Sequence, residues 1–194
     1  MGKHIFITIA VIIFFNSANL AQNNPKNIIK TNPFVPIVSI YSLQFERVID
    51  KNHSLQIAGY FMNSTPFDLF SGGPITGFCI TPELRFYTSR KRSAPNGFYI
   101  APFYHYYNAV VNANPSDWAP QNVSGTYRLI SQGPGISFGY QFIIAHKFSI
   151  DMFAGPAYYD ASNSEFKPLG VKGWTRFPVG GLTGRTGFTL GFAF

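Results

Sequence analysis

The sequence predicts an all-β protein, an eight-stranded antiparallel transmembrane β-barrel of up-and-down topology, and three observations carry that expectation. Apolar and polar residues alternate with period two along most of the chain, aromatic residues gather at strand ends, and charge is scarce. Of 194 residues, 15 are Lys or Arg and 8 are Asp or Glu, so charged residues reach only 12%, about half the usual share in soluble domains. Gly (18), Pro (14), Phe (21) and Tyr (11) are abundant, and these residues favour strands and turns over helices. The composition speaks against a helical bundle and a disordered tail. A single thiol, Cys79, can close no intrachain disulfide and build no cysteine metal site.

Residues 1–21 read as a secretory signal peptide and residues 22–194 as the outer-membrane barrel. Lys3 and His4 precede an apolar core over 5–15, and NSANLA (16–21) leads to a cleavage position after Ala21. That core makes about 16 Å of helix, half of a bilayer's hydrocarbon, so it is too short for a spanning helix.

In chain order, IIKTNPFV (28–35) is the first strand, with Pro36 to Val38 as a tight turn. Over 39–49, Tyr41, Leu43 and Phe45 share one face and Ser42, Gln44 and Glu46 the other. Over 54–62, Leu55, Ile57 and Phe61 oppose Ser54, Gln56 and Ala58. Over 76–88, Phe78, Ile80, Leu84 and Phe86 oppose Thr81, Glu83, Arg85 and Tyr87. The stretch 97–108 is apolar on both faces, so alternation leaves its phase open. Over 129–144, Ile136, Phe138, Tyr140 and Phe142 oppose Ser137, Gly139 and Gln141. Over 148–159, Phe148, Ile150 and Met152 oppose Ser149 and Asp151. Over 185–194, Phe188, Leu190, Phe192 and Phe194 oppose Thr189, Gly191 and Ala193. This is the side-chain period of strands.

A soluble sandwich also alternates, but its apolar faces need a second sheet or helices to cover them, and the chain supplies neither. Phe45, Phe86, Phe98, Phe142, Phe148 and Phe194 lie beside short connections, and Phe61, Tyr104, Tyr106, Tyr158 and Tyr159 beside long ones. Two aromatic belts match the two interfaces of a bilayer. A single-chain bacterial barrel closes on an even strand count with both ends in the periplasm. Seven strands are plain, so 28–35 must run outward before them. Connections 50–53, 89–96 and 145–147 then fall on the periplasmic side and are short, while 63–75, 109–128 and 160–184 fall outside and are long. Pro82, Pro102, Pro134 and Pro156 interrupt strands, each removing a ladder donor. Pro82 is expected opposite Pro102, and Pro134 near Pro156, as local bulges or unbonded pairs.

By this phase Glu46, Gln56, Glu83, Arg85, Gln141 and Asp151 point into the lumen near the periplasmic end, with Lys30 joining from the first strand. An eight-stranded barrel leaves an interior that side chains fill, and confined charges must pair. The expectation is therefore a polar plug that pins register, rather than a proton or ion path. No catalytic residue, metal ligand or cofactor is expected. A lipid A-modifying enzyme is the alternative, with His105 as its base, but only Phe103 and Tyr107 flank His105 on its own face, and acyl transfer needs a nucleophile within reach. Passage of small hydrophobic molecules through a lateral opening is a further alternative, marked by Gly59, Gly139, Gly155 and the in-strand prolines. Cys79 is expected in the lumen as a small buried side chain.

The chain carries a net +7, which has plain sources. Arg90, Lys91 and Arg92 form a solvated turn, and no nucleic-acid partner is expected. Lys167, Lys172 and Arg176 in the longest outer loop are placed to meet lipopolysaccharide phosphates, and Trp118 and Trp174 to rest at headgroup level. The expected partners are outer-membrane lipid, lipopolysaccharide, and the barrel assembly machinery through the C-terminal Phe194 strand.

IIKTNPF, SLQFERVIDKNHSLQIAGYF and ITPELRFYTSRKRSAPNGFYIAPFYHYY, within residues 28–107, together resemble a family of short secreted proteins of unknown function from gram-negative bacteria. Phe45-Glu46-Arg47 and Pro82 to Arg85 are the most specific pieces; QGPGISFGYQF and GFTLGFAF resemble the same family more loosely. The resemblance implies an eight-stranded barrel of the OmpA and OmpX type in the outer membrane, without an assigned activity.

Overall fold

Alternation at period two gives each strand one apolar and one polar face, and a sheet closed on itself hides one face without leaving an edge. In the computed structural model, which describes residues 25–63, 75–89, 93–113, 125–161 and 180–194, eight antiparallel strands close into one up-and-down barrel in chain order. They are β1 (Asn27–Thr31), β2 (Ile40–Val48), β3 (His53–Asn63), β4 (Ile75–Tyr87), β5 (Gly97–Ala113), β6 (Gly125–Ile144), β7 (Phe148–Tyr159) and β8 (Gly181–Ala193). β8 returns to β1 through four pairs, from Ile28↔Ala193 to Thr31↔Leu190. The signal segment 1–21 lies outside the described residues. So do Arg90, Lys91, Arg92, Trp118, Lys167, Lys172, Trp174 and Arg176.

The strand at 28–35 proves shorter than its sequence reading. β1 stops at Thr31, because the Ser42 Oγ takes the N–H of Asn32 at 2.7 Å and Pro33 has no N–H to offer a ladder. The chain then crosses as a 3-10 turn, Val35–Val38, and re-enters at Ser39 with a left-handed φ of 56°. β5 and β6 run further than alternation alone indicates, pairing without a break from Gly97↔Gln141 to Ala113↔Gly125.

The phase of β5, open on sequence grounds, places Tyr99, Ala101, Phe103, Tyr107 and Ala109 inside. Tyr159, grouped with the outer belt in the sequence reading, is also inside, 3% exposed and stacked on His105 at 4.6 Å; its neighbour Tyr158 faces outward. Ring packing across the lumen demands bare backbone beneath it. A Cβ on Gly139 would fall on the Tyr99 ring, and one on Gly187 on the Phe153 ring.

The four prolines all face outward, but not as paired above. Glu83↔Phe103 and Ile80↔Tyr106 set the β4–β5 register, so Pro82 stands beside Tyr104 and Pro102 beside Leu84. Gly135↔Ala157 likewise sets Pro134 two residues out of step with Pro156. The expectation of unbonded pairs survives in another form, since the β4–β5 and β6–β7 ladders are interrupted beside these prolines.

Two short connections carry their own logic. Asp50 Oδ1 accepts the N–H of Asn52 at 2.8 Å and of His53 at 3.0 Å. The Asn52 amide foremost, then the His53 ring, holds the exposed Asp50 carboxyl below its ordinary pKa. Between β6 and β7, Ala145 and His146 both take positive φ, 51° and 56°, the geometry that Asn-Gly adopts at least cost. Replacing Ala145-His146 by Asn-Gly is therefore expected to stabilise the barrel by about 1 kcal/mol, measured as a higher denaturant midpoint by circular dichroism.

Candidate functional site

Eight strands enclose a space about as wide as two opposed side chains, so polar groups that enter it meet one another. All eight strands contribute. Glu46, Glu83, Arg85, Gln56, Gln141 and Asp151, the residues singled out from sequence, are each at most 1% exposed, as is Lys30. Five of those six join one network around Lys30. The Lys30 Nζ donates to Glu46 Oε2 at 2.6 Å, Gln141 Oε1 at 2.8 Å and Asp151 Oδ2 at 3.0 Å, which uses every N–H of an ammonium. Arg85 Nη1 donates to Gln141 Oε1 at 3.0 Å and Glu46 Oε2 at 3.3 Å and lies 2.8 Å from Asp151 Oδ2 as an ion pair. Its Nε donates to Glu83 Oε1 at 2.6 Å, and its guanidinium lies 4.2 Å above the Tyr99 ring. Gln56 reaches the lumen, but neither atom of its amide finds a hydrogen-bond partner.

Hydroxyls complete the carboxylates. Tyr87 donates to Glu46 Oε1 at 2.8 Å, Ser54 to the same oxygen at 2.5 Å, and Tyr99 to Asp151 Oδ1 at 2.8 Å. Gln141 Nε2 donates to the carbonyl of Pro95 at 2.9 Å. That bond ties in the β4–β5 turn, whose Ala94 and Pro95 are buried across the mouth at the short-turn end.

Arg185 was missed in the sequence reading, where it stands at the first position of the last strand, straight after the longest loop. Counting back by two from Thr189 and Gly187 puts it on the lumen face, and that signal was available. Its Nη1 donates to Glu83 Oε2 at 2.6 Å and Ser137 Oγ at 3.1 Å. The guanidinium sits between the rings of Phe103 (4.5 Å) and Phe153 (4.4 Å). Glu83 thus bridges two arginines, and the described lumen balances Lys30, Arg85 and Arg185 against Glu46, Glu83 and Asp151.

Toward the long-loop end the lumen turns apolar and aromatic, with Met62, Cys79, Tyr107, Ala109 and Leu129 in one cluster and Phe103, Ala157 and Tyr159 in another. His105 is not isolated there, as its own strand had implied. Thr81 Oγ1 lies 3.1 Å from its Nδ1, and Cys79 Sγ lies 3.4 Å from Nδ1 and 3.9 Å from Nε2. The thiol of Cys79 and the hydroxyl of Thr81 thus both lie within hydrogen-bond reach of the His105 ring, brought there from the neighbouring strand β4. A shallow groove of about 710 Å³ lies on the outer face instead, over Ala154 and Thr186, with Asn32 and Phe188 among its lining residues.

In chemical terms the charged half can hold register and fill the lumen, because each of its ions is paired with one of opposite sign, although Arg85 Nη2 is left without a hydrogen-bond partner. Removing Arg85 leaves three buried carboxylates to two cations. Arg85→Leu is expected to destabilise the barrel by about 3–5 kcal/mol, and Arg85→Met combined with Asp151→Asn to recover part of that loss. Denaturant midpoints of the two variants against the wild type check both signs.

The family described as "Protein of unknown function (DUF3575)" matches residues 5–178 of the chain. No curated protein and no solved structure matches it.

Proposed function

The chain belongs to the DUF3575 family of proteins of unknown function, and we propose that it is an integral outer-membrane β-barrel with a structural or surface-interacting role and a plugged polar lumen. One observation carries this reading: the barrel is inverted relative to a soluble protein. Leu43 (64% exposed), Ile57 (51%), Phe138 (47%) and Met152 (46%) face outward, while Lys30, Glu46, Arg85 and Asp151 are inside. Among the described residues no second layer covers the outer face. Water would penalise so wide an apolar belt, whereas hydrocarbon solvates it and requires the closed ladder that the strands make.

The belts support the same reading. Phe45, Phe86, Phe98, Phe142 and Phe148 are exposed toward the short-turn end, and Phe61, Tyr104 and Tyr158 toward the other, as interfacial aromatics are. The signal-like segment 1–21 fits export, and Lys167, Lys172 and Arg176 fit a loop that meets lipopolysaccharide phosphates. A final strand ending in Phe194 fits delivery to the barrel assembly machinery.

Residues 22–194, diluted from urea into phosphatidylcholine vesicles, are expected to fold and float with the vesicles, and to show no steady conductance in a planar bilayer. Ile57→Arg, on the outward face, is expected to cost about 2–4 kcal/mol of folding into the bilayer. A cooperatively folded monomer in detergent-free buffer would overturn the reading.

A further inference from the structure

The barrel wall is complete only over part of its height at one place. β1 ends at Thr31, so among the described residues Gly181–Thr189 of β8 pair with β7 alone and Ile40–Leu43 of β2 pair with β3 alone. Where β1 is missing, the edges of β8 and β2 stand two strand spacings apart, about 10 Å. The segment Asn32–Ser39 crosses this window. It is tied to β2 through Asn32 N–H on Ser42 Oγ and Thr31 Oγ1 on the Ser42 carbonyl at 2.8 Å. Its far end is tied to β3 by the Asn63 N–H on the Ser39 carbonyl at 3.3 Å. On the β8 side, Phe34 meets Phe188 at 5.6 Å between ring centroids. Phe34 and Ile37 nonetheless stay 61% and 68% exposed, so the flap is apolar and thinly packed.

Behind the window the lumen holds polar atoms without partners. Arg185 Nη2 on β8 has none, although its side chain is only 10% exposed. Thr189 Oγ1 on β8 and Gln44 Oε1 on β2, both from fully buried residues at the foot of the window, have none either. The guanidinium is flanked by the rings of Phe103 and Phe153, with the Tyr60 hydroxyl beside it, and Nη2 is the donor left over.

We propose that this window is a lateral port at which a single-chain amphiphile with an anionic head, of the fatty-acid class, binds with its head on Arg185 Nη2. A carboxylate oxygen accepts from Nη2 while Nη1 keeps Glu83 and Ser137, and the charge-assisted bond satisfies the idle donor. The tail leaves between β8 and β2 beneath Phe34 and Ile37. The gap takes one acyl chain and not the two of a phospholipid. The charged plug lies between Arg185 and the short-turn mouth, so the port is blind: it captures and releases, and does not conduct. The inference rests on the membrane reading above, since the tail needs hydrocarbon outside the window.

The test uses the full barrel in phosphatidylcholine vesicles, with insertion scored first by flotation. A fluorescent polyene fatty acid is titrated against the alcohol of the same chain. The wild type is expected to prefer the acid at least about tenfold, the size of one hydrogen bond to a charged group. Arg185→Gln together with Glu83→Gln, which keeps the lumen neutral, is expected to abolish that preference while the barrel still floats. Phe34→Ala is expected to speed uptake and release severalfold and leave the preference intact. Equal binding of acid and alcohol by the wild type, a preference that survives in the double variant, or uptake unchanged in Phe34→Ala would each overturn the port and leave the membrane reading standing. Failure of the wild type to float would overturn both.

Discussion

A cylinder of eight strands leaves an inside that only side chains fill, and the rest of this molecule follows from charges having to share it. Three cations and three anions of the described lumen meet with no bulk water to separate them, so each must find partners within the wall. That requirement explains why Tyr87, Tyr99 and Ser54 stand where they do: carboxylates that bind cations still carry lone pairs that hydroxyls take. It also explains why the closing seam holds although only four residue pairs join β1 to β8. Lys30, on that short strand, reaches across to β2, β6 and β7. The lumen network therefore adds to the ladder at the joint where the ladder is shortest.

The prolines show a second economy. Pro82 and Pro102 stand beside the one β4–β5 seam, and Pro134 and Pro156 beside the one β6–β7 seam, whereas the β3–β4, β5–β6 and β7–β8 ladders on their other sides are continuous. A residue in an antiparallel strand directs both backbone groups to one neighbour. Setting one proline on each side of a shared seam confines the missing donors to two joints and leaves the intervening ladders whole. All four rings face outward, where they displace no polar partner from the crowded lumen.

Much of this was legible in the sequence because it depends on residue i and residue i+2 alone. The strand count, the all-antiparallel closure and the inward face of Glu46, Glu83, Arg85, Gln141 and Asp151 are consequences of alternation and parity. Whatever depends on register was not. Pro82 was placed opposite Pro102, two residues from its place, since the span of the turn between β4 and β5 is not written in either strand. His105 looked alone because its neighbours Cys79 and Thr81 belong to another strand, and cross-strand distance has no local signal. Gln56 faces inward like the others yet bonds to none of them, for direction is encoded by period and reach is not. The first strand was placed over the eight residues 28–35 by parity, which says nothing of its length; the donor missing at Pro33 and the capture of the Asn32 N–H by Ser42 end it after Thr31.

That shortened strand has a cost that the local composition offsets. On the proposed membrane reading, each backbone N–H or C=O that hydrocarbon leaves without a partner costs several kcal/mol, and between Gly181 and Thr189 the edge of β8 has no β1 partner. The stretch reads GLTGRTGFT, with glycines that leave the backbone open and threonines whose hydroxyls can bond to it, and just two large apolar side chains. Lower on the same strand, where β1 resumes the pairing, the outward residues are Leu190 and Phe192. The composition thus changes at the residue where the ladder changes. On that reading, a strand edge poor in apolar cover suits the headgroup layer better than the bilayer centre, the level at which the proposed amphiphile's head and tail would part.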